Sequence, residues 1–126
     1  MGYMGQPLKR REDKRFLVGK GHYVDDITLP DMVWCVFVRS PHAHAIIKNI
    51  DTQVAQRMPG VLKILMHKDW AAAGLGDLKV VHPMPFGDGR PMHECPRPAF
   101  AFEKVRHVGD VVAAVIAKTR NQAEDA

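Results

Sequence analysis

The stretch MVWCVFVRSPHAHAIIKNID, residues 32–51, decides the reading of the fold. Its first eight residues interleave Val33, Val36 and Val38 with Trp34 and Phe37, side chains that suit a pleated surface. Apolar residues fall on both faces of this segment, which predicts a strand sandwiched between layers. Ser40-Pro41 breaks it, and Ile46 and Ile47 then begin a second strand. His42 and His44 stand two apart between them, a spacing that on a strand would turn both rings to one face.

Two more apolar segments follow the same logic. VLKILM (61–66) is a compact strand, and VVAAVIA (111–117) is apolar on both faces and predicts a buried one; Val105–Val108 is a shorter apolar run before it. Helical signals lie between and after them. Asp51 and Thr52 are candidate caps for TQVAQRM, which Pro59-Gly60 stops, and Asp69 is a candidate cap over WAAAG. Asn121 is read as the cap of a last helix, with Glu124 and Asp125 at the positive end of its dipole. Only one turn of that helix precedes Ala126, so the expectation is a truncated chain, a fragment or one piece of a split subunit. Residues 74–98 hold Pro83, Pro85, Pro91, Pro96 and Pro98 with four glycines, which predicts one long irregular loop.

At 126 residues there is room for one ordinary domain, and 46% hydrophobic, 25% charged and 7% aromatic residues exclude disordered and collagen-like classes. No apolar run is long enough to span a membrane. The start, MGYMGQPLKRRED, lacks an apolar core followed by a cleavage site, so a cytoplasmic chain is expected. Net charge is +4, concentrated in Lys9, Arg10, Arg11, Lys14 and Arg15. Residues 1–15 are read as a basic, extended N-terminal arm and 16–126 as the domain proper. Such an arm suits an acidic partner surface or nucleic acid, although no nucleic-acid recognition motif accompanies it.

The residues able to carry chemistry are few. Cys35 and Cys95 form no CxxC and are read as reduced, buried thiols. His93, Glu94 and Cys95 are consecutive, which rarely lets three ligands meet one ion, and His42 with His44 lacks an evident third ligand. Asp25 and Asp26 are assigned to a turn, since neighbouring side chains on an extended chain diverge. The glycine pairs at 19–21 and 87–89 lack the strand–loop–helix setting of a phosphate loop. Arg39, before Ser40-Pro41, suits an anion or carboxylate at a strand end. No catalytic, cofactor-binding or metal residue is assigned.

Five segments in order are familiar: KRREDKRFLVGKGHYVDD (9–26), VRSPHAHAIIKNID (38–51), MPGVLKILMHKDW (58–70), KVRHVGDVVAAVIA (104–117) and NQAEDA (121–126). Together they resemble the amino-terminal a/b hammerhead domain of the molybdenum-binding large subunit in the xanthine dehydrogenase/aldehyde oxidase family, closest in flavour to aerobic carbon monoxide dehydrogenases. The resemblance covers nearly the whole chain apart from loop 74–98. It implies an α+β fold, a mixed or antiparallel β-sheet with short helices, and membership of an oxidoreductase complex. It also implies molybdopterin-held molybdenum beyond Ala126, with [2Fe–2S] clusters in a small subunit and FAD in a medium one. Arg39, His42 and His44 would then organise contact with the remainder of the large subunit or the iron–sulfur subunit, and the basic arm would lie on a partner surface. Asp110 stands where many members carry Gln or Glu. The alternatives are a stand-alone binding or assembly module and, behind it, a basic nucleic-acid-binding domain.

Overall fold

The structure, a computed structural model, describes residues 4–95 and 97–126; Met1–Tyr3 of the arm and Pro96 of the loop lie outside them. Elements run α1 (Asp13–Leu17), β1 (Trp34–Arg39), β2 (Ala45–Ile46), α2 (Gln53–Gln56), β3 (Val61–Leu65), α3 (His67–Ala72), β4 (Lys104–Val105), β5 (Val111–Ala117) and α4 (Arg120–Asp125). The chain divides into two compact units, Met1–Met32 and Val33–Ala126.

In the first unit the expected extended arm gives way to helix before its end. Glu12 O accepts from the amides of Arg15 and Phe16, and Arg10 pairs with Asp13 at 3.2 Å. Gly19, at φ +70°, closes α1 by donating to Phe16 O, a left-handed stop that favours glycine. Tyr23 stacks on Phe16 with centroids 5.9 Å apart. Asp25 and Asp26 do form a turn, in which Asp26 Oδ2 accepts from Tyr23 N at 2.9 Å.

The second unit is built on a three-stranded sheet of order β1-β5-β3 and a two-stranded sheet β2-β4, every pairing antiparallel. β5 is the buried centre that VVAAVIA predicts: Ala113, Val115 and Ala117 point to one face, Ala114 to the other, and all are buried. Val36 and Ile64 flank Val115 in register and complete the core with Ala123 of α4 and Ala55 of α2. Small side chains on β5 and α4 let the helix lie close against β1 and β5.

β1 departs from expectation. Among the described residues it is an edge strand, paired with β5 alone, and Cys35, Phe37 and Val38 are exposed. Aromatic and β-branched residues satisfy the pleat whether or not a second layer covers them, so composition alone overstated their burial. Cys35 and Cys95 are likewise exposed free thiols, which corrects the buried reading. A disulfide dye added to the native chain is therefore expected to titrate two thiols without denaturant; no reaction before unfolding would restore the buried assignment.

The helix caps also shift. α4 starts one residue before Asn121, because Thr119 is extended (φ −132°, ψ 158°) and its Oγ1 accepts from Gln122 N. Glu124 consequently sits past the first turn, where it pairs with Arg120 at 2.7 Å. Asp69 caps α3 from inside, its Oδ2 reaching back to Met66 N at 2.9 Å. Asp51 Oδ1 accepts from Gln53 N at the start of α2, while Thr52 Oγ1 accepts from the Gln56 side chain. The apolar run Val105–Val108 contributes only Val105 to β4, and Val108 lies exposed in the next turn. The loop is irregular throughout its described residues, tied near its base by Leu78 N donating to Arg97 O at 2.8 Å. No helix among the described residues is long and apolar enough to cross a membrane.

Candidate functional site

The two most distinctive segments, VRSPHAHA and KVRHVGD, meet at the end of β1. A bulge between Val38 and Arg39 leaves Val112 of β5 unpaired and turns the strand end. Ser40 is buried there and held on both sides of its backbone. Its amide donates to Asp110 O at 2.9 Å, and its carbonyl accepts from Gly109 N at 2.8 Å. Its hydroxyl accepts from His42 N at 3.0 Å, a side-chain turn that fixes the start of PHAHA.

The opposing turn is built to match. Asp110 Oδ2 accepts from Arg106 N at 3.0 Å, and His107 Nδ1 lies 3.8 Å from the same oxygen. Gly109 adopts φ +89°, which favours glycine, and its carbonyl accepts from the Arg39 guanidinium at 2.9 Å. The Asp110 carboxylate thus closes the turn locally, and among the described residues Arg39 forms no ion pair. The Arg39 guanidinium also lies 5.6 Å from the Phe37 ring centroid, so its stem and head are both placed.

Arg39 and His42 line one open cleft of about 440 Å³. Val38, Ile46, Ile47, Ile50, Val105 and Val112 supply most of its apolar surface, and Ser40, Lys48 and Asn49 join Arg39 and His42 as the polar members. His44 does not line it. Both histidines are exposed and precede β2, so they are not carried on one strand face as their spacing suggested; the Ser40 turn sets them instead. Sequence reading missed Ser40, Gly109 and Lys48. The Ser-Pro pair signalled a turn, but its partner seventy residues away left no local trace.

Among the described residues, no three His, Cys, Asp or Glu side chains converge where a metal ion could be held, at His93-Glu94-Cys95 or elsewhere. The donors needed for a metal centre are not assembled by these residues, and no redox step is assigned to them.

A family model described as the aldehyde oxidase and xanthine dehydrogenase a/b hammerhead domain matches residues 18–126. The chain belongs to this family. The hammerhead domain is 46% identical over 125 residues to the carbon monoxide dehydrogenase large chain of Afipia carboxidovorans, covering 98% of this chain and 14% of that one. Among solved structures it resembles the Cu,Mo-CO dehydrogenase with a TM-score of 0.72 and 43% identity, over 97% of this chain and 14% of the other. It also resembles quinoline 2-oxidoreductase from Pseudomonas putida 86, with a TM-score of 0.80 and 37% identity over 96% of this chain and 15% of that one. The family and the α+β hammerhead fold expected from the sequence are therefore borne out, and the chain spans about a seventh of the length of these relatives.

Proposed function

We propose that this chain is the hammerhead part of a molybdenum hydroxylase large subunit, with a structural and contact role in an oxidoreductase complex. The observation that carries the reading is the match of nearly the whole chain to one stretch of carbon monoxide dehydrogenase large chains, in a fold whose described residues assemble no metal site. In this reading molybdopterin belongs to the rest of the large subunit, and [2Fe–2S] clusters and FAD to small and medium partner subunits. A cytoplasmic location is part of the same proposal.

The contact role falls to Arg39, His42 and His44, with the basic segment 9–15 as a second partner surface. What supports it is that Arg39 is fixed by Gly109 and Phe37 yet meets no carboxylate among the described residues, and that both histidines are exposed beside a rigid turn. An arginine held this way suits planar hydrogen bonding across an interface.

Replacing all three residues by alanine in the native host should lower recovery of the assembled complex several-fold, whereas Lys20→Ala should leave it unchanged. Equal recovery from both strains would remove the contact role. The chain purified alone should not oxidise carbon monoxide, xanthine or an aldehyde with a dye acceptor, and turnover there would overturn the non-catalytic assignment.

A further inference from the structure

We propose that the cleft beside Arg39 docks an extended segment of another polypeptide that carries carboxylates next to aliphatic side chains. The proposal deepens the contact role of Arg39, His42 and His44 and rests on it.

Two properties of the cleft select that occupant. Its surface is aliphatic and partly bare: Ile46 is 77% exposed and Val38 44%. Its charge is one-sided: Arg39 and Lys48 line it, and no Asp or Glu does. Neither cation makes an ion pair among the described residues. Arginine has five N–H donors, and Gly109 O takes one from Arg39, so a fork in fixed position remains for an incoming carboxylate.

Asp110, on the opposing turn, directs its Oδ2 to Arg106 N and His107 and forms no ion pair with Arg39 or Lys48. Charge complementarity therefore has to come from the partner. An open cleft suits an extended chain better than a small ligand, which binds where most of its surface can be enclosed. A nucleic-acid strand fits worse, since no Phe, Tyr or Trp lines the cleft to stack a base.

The test is an NMR titration of the 15N-labelled 126-residue chain with acetyl-Leu-Glu-Val-Asp-Leu-amide and its uncharged twin acetyl-Leu-Gln-Val-Asn-Leu-amide. The acidic peptide should bind about tenfold more tightly, the worth of a charge-assisted hydrogen bond. Amide shifts should cluster at Arg39, His42 and Ile46–Lys48. Arg39→Gln should remove most of the preference, and Lys48→Gln, whose ammonium makes no ion pair among the described residues, should weaken the acidic peptide about two- to threefold.

Equal affinity for the two peptides, shifts away from the cleft, or tighter binding of a 12-nucleotide DNA strand at the same amides would each overturn the proposal. Those failures are separable from failure of the contact role. A chain that ignores the peptides, while its triple-alanine variant still loses assembly, refutes the docking chemistry and keeps the interface.

Discussion

A chain carrying Val115→Asp should show no cooperative unfolding transition in urea at 25 °C, while Phe37→Asp should stay folded and lose about 1 kcal/mol. Both residues lie in the three-stranded sheet, on adjacent strands, and both are large and apolar. Val115 is 3% exposed, on the central strand between Val36 and Ile64. Its replacement buries an unpaired carboxylate, whose desolvation is comparable with the whole stability of about 5–15 kcal/mol expected of such a domain. Phe37 is 51% exposed on the edge strand, so an aspartate there keeps its water. Far-UV circular dichroism with urea titration distinguishes them. A cooperative Val115→Asp transition close to the parent's would contradict the central placement of β5.

Gly60→Val should be the most damaging substitution at a turn, costing about 3 kcal/mol and lowering Tm by roughly 10 °C. Gly60 holds φ +83°, where a β-branched residue is a true outlier, and its carbonyl accepts from Lys118 N at 3.0 Å. An added Cβ would also collide with the Gln122 carboxamide, which packs over this turn from α4. That side chain can swing aside, so backbone strain is the larger part. Adding Gln122→Ala should therefore recover less than about 1 kcal/mol of the loss. Gly76→Ala, at a position with ordinary φ and nothing within 4 Å of a built Cβ, should change stability by less than about 1 kcal/mol. Calorimetry of the four chains settles the division, and a Gly60→Val Tm equal to the parent's would contradict the left-handed turn.

These contrasts mark where local pattern stops informing. β5 was legible because seven apolar residues in a row leave no polar face for water. β1 looked the same, yet its neighbours on the sheet are set by contacts with residues 111–117, more than seventy positions later, which no local window contains. The caps of α3 and α4 fall three and two residues before the expected Asp69 and Asn121 for a related reason. Thr119, Asn121, Asp51, Thr52 and Asp69 can all accept an amide hydrogen bond, and the backbone angle of each decides which does. The hammerhead family was legible because five segments agree in order and spacing. The joint between Ser40 and the Gly109-Asp110 turn was hidden, since its two hydrogen bonds run between backbone amides and carbonyls, which carry no residue-specific signal. Arg39 was singled out correctly as a side chain at a strand end, but only the fold shows that Asp110 turns to Arg106 and that Arg39 forms no ion pair among the described residues.

The central claim is that this hammerhead domain works inside a molybdenum hydroxylase. Intact mass with metal and flavin analysis, on protein purified from the native host, tests it most directly. The account predicts that the sequence is recovered within or bound to a large subunit, in an assembly containing molybdenum, iron and FAD. Recovery as a lone, metal-free 14.1 kDa chain would contradict it.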